Sequence, residues 1–169
     1  RAWPQRYEKF LLETIACYQN RQIKPFFLNF GGEPDRLLIE TLNKKLSQKL
    51  TVIDENDSRL AKGIISASDA VVSSRYHGCV SALSNGKVCI GAGWSHKYNL
   101  LYESYHAEEL LVPATYDVMI LERLIDLSLS VDASVTQKIA ARADILKEES
   151  GKMWSEVCAL IEQIIFMTP

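Results

Sequence analysis

Along the first stretch of the chain the apolar residues Tyr7, Phe10, Leu11, Ile15 and Tyr18 recur at intervals of three and four, so residues 6–21 are predicted to form a helix with one buried face. Residues 24–30 are rich in β-formers and end at Gly31-Gly32, which predicts a strand and a turn. Asp35 is then placed to cap a helix running through Leu37, Leu38, Leu42 and Leu46. The pattern repeats with a short strand at 50–53, a polar turn at 54–58, a short helix near 60–65 and a strand at 70–73. After Arg75 follow a helix over 77–83, an Asn85-Gly86 turn, a strand at 88–90, a helical stretch from Lys97 toward Tyr105 and one more strand at 110–112. Beyond Pro113 the pattern is helical, over 118–129 and from Ser134 to the end. There Ile139, Leu146, Met153, Trp154, Val157, Ile161 and Ile165 form a stripe interrupted near Gly151.

Alternating strands and helices predict a parallel sheet. The expected fold is therefore α/β, a Rossmann-like doubly wound sheet with C-terminal helices, in a single domain over residues 1–169. Such a sheet, opening here on a helix, calls for a strand ahead of Arg1 that pairs with the central strand. With Arg at position 1 and the first Met at Met119, the chain reads as a fragment or a processed product.

Composition changes this picture little. With 47% apolar and 24% charged residues, the chain has the material of one ordinary globular domain. A net charge of -2 excludes nucleic-acid binding by blanket electrostatics, which needs a clear Lys/Arg excess, so any anion site must be local. No stretch approaches the roughly 18–20 apolar residues of a spanning helix. Cys17, Cys79, Cys89 and Cys158 include no CxxC pair and suit reduced thiols, which points to the cytoplasm. A zinc site from His77, Cys79, Cys89 and His96 has the right residue types but the wrong spacing, and no metal is expected.

The most informative segment runs from Ser68 through Ser73, Ser74, Arg75, Tyr76, His77 and Gly78 to Leu83. A buried strand here delivers hydroxyls, a guanidinium and an imidazole into a strand-to-helix turn, the place where open α/β sheets bind ligands. The N-terminus of the next helix offers unpaired N–H groups and the positive end of its dipole to an anion. Arg75 adds a fork suited to carboxylate or phosphate. Gly78 permits close approach, and an imidazole such as that of His77 suits proton transfer near neutral pH. A plainer reading stands beside this one: Arg75 as a surface ion-pair partner, and His77 as a helix-start residue bonded to a carbonyl. Trp94 and His96, within Gly91-Ala-Gly-Trp-Ser-His-Lys97, offer a second ligand loop, although turn chemistry accounts for the glycines equally well. His106 has no supporting motif and reads as a solvated residue. The C-terminal stripe reads first as core packing and second as a docking surface.

The run Ser-Asp-Ala-Val-Val-Ser-Ser-Arg-Tyr-His-Gly, followed by Ala82-Leu83, Gly86 and Val88, resembles the polysaccharide pyruvyl transferase family, whose hallmark S-R-x-H-G turn is matched by Ser74 to Gly78. The family usually carries an apolar residue where this chain has Tyr76, and commonly Pro where it has Lys87. The resemblance extends to Lys97 and, more weakly, to Arg1-Ala2-Trp3. Asp35 also fits, although an N-cap explains it fully. The resemblance implies the C-terminal half of a GT-B-like two-domain enzyme that transfers a pyruvyl group from phosphoenolpyruvate to a sugar or lipid-linked saccharide, forming a ketal without a metal or organic cofactor. It further implies a partner N-terminal domain holding the acceptor, and peripheral association with the inner face of a membrane through that acceptor. In that scheme His77 is the acid, while Arg75, Lys97 and Arg1, with Ser74, Tyr76 and Gly78, form the donor pocket. A GT-B glycosyltransferase, a sugar-nucleotide epimerase and a non-catalytic derivative remain the alternatives.

Overall fold

The computed structural model describes residues 3–93, 95–113, 115–130 and 134–167. The chain is mixed α/β and mostly helical. Helix α1 (Trp3–Asn20) is followed by β1 (Phe27–Asn29), α2 (Glu33–Lys45), β2 (Val52–Asp54), α3 (Ser58–Ala67) and β3 (Val71–Ser73). Then come α4 (Tyr76–Ser84), β4 (Cys89–Gly91), α5 (His96–Ser104), a 3-10 turn (Glu108–Leu110), α6 (Val118–Leu129) and α7 (Ser134–Met167). Each helix and strand answers to a predicted one, with shifted ends. β1 is shorter than the pattern suggested: Pro25, lacking an N–H, cannot join a ladder, and pairing begins at Phe27.

The strands form two separate parallel pairs, β1 with β2 and β3 with β4, rather than one continuous sheet. The strand expected at 110–112 is reduced to a single parallel bridge between Gly91 and Leu111, with Val112 N donating to Gly91 O at 2.8 Å. The 3-10 turn takes up Leu110, and Pro113 ends the ladder immediately afterwards.

Side-chain alternation along β3 and β4 divides the core. On one face Cys89 and Val71 meet Leu83 of α4, Tyr102 of α5, Leu110 and Ile139 of α7. On the other face Ile90 and Val72 meet Phe10 of α1 with Leu121 and Ile125 of α6. Accordingly α1 packs against α2 and α6, whereas α4 packs against α3 and α7. Arg21 ties α1 to α6 through Asp126, its Nε donating at 2.8 Å. Helix starts follow local capping rules at α3, where the Asp57 carboxylate accepts from Arg59 N at 2.7 Å, and at α6, where Asp117 accepts from Ile120 N at 2.9 Å.

The C-terminal helix runs from Ser134 as expected, and one expectation about its stripe is corrected. α7 passes through Gly151 without a break, since an exposed helical glycine costs only about 1 kcal/mol and leaves the hydrogen-bond ladder intact. The stripe is not core packing over its whole length. Ile139 and Ala143 are buried, but Met153, Trp154 (59% exposed), Ile161 and Ile165 face solvent, because beyond Leu146 the helix has run past the elements that cover it. No helix among the described residues is long and apolar enough to cross a membrane.

Candidate functional site

The turn from β3 to α4 is built by its own hydroxyls and by two glycines. Ser73 Oγ accepts from Arg75 N at 3.0 Å and lies 3.1 Å from Arg75 O, which folds the chain sharply out of the strand. Arg75 is the N-cap residue of α4, with extended φ and ψ of -87° and 124° and no side-chain cap. Its side chain is therefore free to cross to the neighbouring strand end. A Cβ on Gly78 would sit 2.5 Å from Ser73 Oγ and 3.3 Å from the Phe30 ring, so only glycine lets the first turn of α4 close against β3 and β1.

Arg75 reaches Asp35 in a fork-to-fork pair: Nε donates to Oδ2 at 2.8 Å, and Nη2 donates to Oδ1. This corrects the reading of Asp35 as a helix cap. The N-cap of α2 is Gly32, at φ 80° with no side-chain bond, and Asp35 is the third residue of the helix. Gly31 makes room for it, since a Cβ there would collide with the Asp35 carboxylate. The hydrogen bonds to Asp35 hold the Arg75 guanidinium above its ordinary pKa despite partial burial. The side chain is nevertheless half exposed, and the pair engages only the Nε/Nη2 edge of the guanidinium.

Three tyrosines complete the surroundings. Tyr98 OH donates to Ser74 O at 2.6 Å, and its ring meets Tyr76 edge-on at 5.5 Å. Lys97 Nζ lies 4.6 Å from the centre of the Tyr76 ring and 5.7 Å from that of Tyr98, a cation-π arrangement that holds the ammonium over the N-terminus of α4. Tyr7 of α1 is hydrogen-bonded to Ser74. His77 is exposed, with its ring 6.1 Å from Tyr76 and edge-on to it.

Of the residues singled out in the sequence, Lys97 is brought over Tyr76, beside Ser74 and Arg75 in the turn, Gly78 packs against Ser73 and Phe30, and His77 is exposed. Arg1 and Trp94 lie outside the described residues. His96 is exposed and is the first residue of α5 rather than part of a loop, while His106 is exposed at φ 52°. Sequence reasoning placed Tyr7 on the apolar face of the first helix and Tyr98 in a helical stretch, but missed both as neighbours of the Ser74 turn, because core packing explained their positions. Below the cluster, Cys79 and Cys89 are buried free thiols. The Cys89 thiol is pushed well above its usual value by its hydrogen bond with Cys79 and by complete burial. No group of three or more His, Cys, Asp or Glu side chains among the described residues is placed to hold a metal ion.

Burial raises the Tyr7 phenol from 10.0 to about 12, with hydrogen bonding to Ser74 opposing the shift. A phenol that stays neutral when folded but ionises at 10.0 when unfolded stabilises the fold fully below that pH. Above it the unfolded state binds fewer protons, and the contribution is lost as pH rises toward about 12. Denaturant titrations across this range are expected to show a steeper loss of stability in the wild type than in Tyr7→Phe. Equal slopes would mean that Tyr7 is not held neutral by the fold.

Fold and cluster together describe a mixed α/β protein that presents a guanidinium, an ammonium and an imidazole around the starts of two helices, at the C-terminal end of a parallel strand pair. A family model for polysaccharide pyruvyl transferase matches residues 1–96. That is more than half of the 169 residues, and the chain belongs to the polysaccharide pyruvyl transferase family. The match contains the whole Ser74–Gly78 turn and ends one residue before Lys97. By its description this is a family of transferases acting on polysaccharide. No curated protein and no solved structure matches the chain.

Proposed function

We propose that this chain carries the donor half of a ketal-forming pyruvyl transferase, moving a pyruvyl group from phosphoenolpyruvate to a sugar of a cell-surface polysaccharide or its lipid-linked precursor. The observation that carries this reading is the family match across a turn where Arg75, Tyr76 and Lys97 converge on one helix start. Family membership supports a transferase, and the convergence supports an anionic donor.

The chemistry assigns each group a task. A proton from the His77 imidazolium adds to the methylene carbon of phosphoenolpyruvate, leaving a cationic carbon that one sugar hydroxyl attacks. Phosphate then departs, and a second hydroxyl closes the ketal. One hydroxyl proton restores His77 and the other leaves with phosphate, so the reaction balances with no metal or organic cofactor. Arg75 offers the edge of its guanidinium not engaged by Asp35 to the donor carboxylate or phosphate, and Lys97, held over the Tyr76 ring, supplies a second cation. Ser74, Tyr76 and Gly78 shape the turn, and Arg1 adds charge from the start of the chain. The acceptor is held by a separate N-terminal domain of a GT-B-like pair, at the cytoplasmic face of the membrane when the acceptor is lipid-linked.

Calorimetric titration of phosphoenolpyruvate into the intact enzyme tests the reading. Wild type is expected to bind, and Arg75→Ala to bind about 10- to 100-fold more weakly, the effect of losing charge-assisted hydrogen bonds. A uridine diphosphate sugar serves as competitor. Binding of the nucleotide sugar without phosphoenolpyruvate would replace this reading with that of a glycosyltransferase.

A further inference from the structure

Asp35 and Arg75 meet across 40 residues of chain, one on the first turn of α2 after β1, the other at the start of α4 after β3. Each backbone is set by its own surroundings. After β1, Gly31 N donates to Asn29 Oδ1 at 3.3 Å and Arg36 N donates to Gly32 O at 3.2 Å. After β3, Arg75 N donates to Ser73 Oγ at 3.0 Å, while Ser74 O accepts from Tyr98 OH at 2.6 Å. The two side chains thus meet from fixed points.

Stability gives little reason for the pair. An ion pair this open to water, with the Arg75 side chain 50% exposed, contributes little to folding. The fold nevertheless makes room for it. A Cβ at Gly31 would collide with the Asp35 carboxylate and lie 3.2 Å from Arg75 Nε, so the space of a side chain is left to the fork.

A guanidinium carries five N–H donors in one plane. Nε and Nη2 each give one to Asp35, which takes the side-on fork. The end-on fork, Nη1–H with the second Nη2–H, is not engaged by Asp35, and its plane and direction are fixed by the first. Without Asp35, a half-exposed arginine would sample many rotamers and lose that freedom only when an anion arrived; with it, the loss is taken in advance. Charge acts in the opposite sense, because the Asp35 carboxylate repels an anionic donor. Orientation and charge therefore predict opposite signs for its removal.

We propose that Asp35 is a positioning residue, holding the Arg75 guanidinium by one fork so that the other is presented, already oriented, to the carboxylate or phosphate of the donor. The proposal rests on the reading of Arg75 as the donor clamp. It adds to that reading a carboxylate, a group of the wrong charge for an anion site, whose task is to make the site bind.

Calorimetric titration of phosphoenolpyruvate into the intact enzyme tests it, with Asp35→Asn alone and combined with Arg75→Ala. Asparagine keeps the shape and removes the negative charge, but it cannot accept both N–H groups. Binding is expected to weaken about 3- to 10-fold, the effect of ordering one long side chain on binding. In the Arg75→Ala background the same change is expected to cause no further weakening. Binding as tight as wild type or tighter in Asp35→Asn would overturn the proposal, since charge would then outweigh orientation. So would equal weakening with and without Arg75, the mark of a general structural role. A second readout needs no ligand: the Arg75 Nε proton is expected to give a slowly exchanging magnetic-resonance signal in the wild type, lost in Asp35→Asn, and its absence from the wild type would also overturn the proposal. Should Asp35→Asn not fold, Arg75→Lys decides. Lysine keeps the charge but has no second fork, so it is expected to pair with Asp35 and bind the donor about 10-fold or more weakly; wild-type affinity there overturns the proposal. If the wild type takes a uridine diphosphate sugar and not phosphoenolpyruvate, the pyruvyl reading falls, and the same variants titrated with that sugar still decide the role of Asp35. Binding of neither overturns both.

Discussion

Replacing His77 with glutamine is expected to lower turnover in the intact enzyme by about 10²- to 10⁴-fold, the usual contribution of a positioned general acid, while phosphoenolpyruvate binding persists. Glutamine preserves polarity and approximate size at an exposed position on the first turn of α4, but it cannot exchange a proton. Exposure also makes the control clean, because a substitution there should move unfolding free energy by no more than about 0.5 kcal/mol. Chemistry and fold are thereby separated in one variant. Turnover close to wild type in His77→Gln would remove the imidazole from the mechanism and shift the search for the acid to Lys97 or to the acceptor domain.

The second large effect belongs to the scaffold. Phe10→Ala is expected to destabilise the chain by about 3–5 kcal/mol, read as a fall in melting temperature on the order of 10 °C for a domain of this size. Phe10 is fully buried among Ile90, Leu121 and Ile125, and its ring meets Tyr116 edge-on at 5.5 Å and Tyr7 at 6.2 Å. Truncation leaves a cavity where α1, α6 and β4 converge. It also removes a neighbour of Tyr7, the residue that carries this packing to Ser74. A change below about 1 kcal/mol would mean that the surrounding side chains collapse into the space.

The order of elements was legible because each helix and strand announces itself through local periodicity, and the turn residues fall between them. What periodicity cannot convey is which partner an element meets. Asp35 shows the difficulty: near a helix start a carboxylate has a complete local explanation, and the partner it takes instead lies 40 residues away. The pairing becomes visible only when the ends of β1 and β3 are placed side by side. Tyr7 and Tyr98 were hidden for the same reason, being apolar-patterned positions whose hydroxyls act across the fold. In α7 the failure ran the other way. The stripe is correctly periodic from Ile139 to Ile165, but periodicity says nothing about where the covering layer stops, and here it stops near Leu146. At 110–112 a β-favourable triplet was outvoted by its neighbours, a 3-10 turn before it and a proline after it. The Ser74–Gly78 turn was read correctly as a junction because a strand ending in hydroxyls followed by a glycine-bearing helix start is itself a local pattern.

The uncovered part of α7 has a consequence for how the molecule moves through solution. From Lys147 to Ile165 the side chains are exposed, apart from half-buried Val157, and at 1.5 Å per residue this makes a rod roughly 28 Å long. A projection of that length adds much friction and little mass, so a 19.1 kDa chain should sediment more slowly and elute earlier from a sizing column than a sphere of equal weight. Removing the projection should restore near-spherical drag.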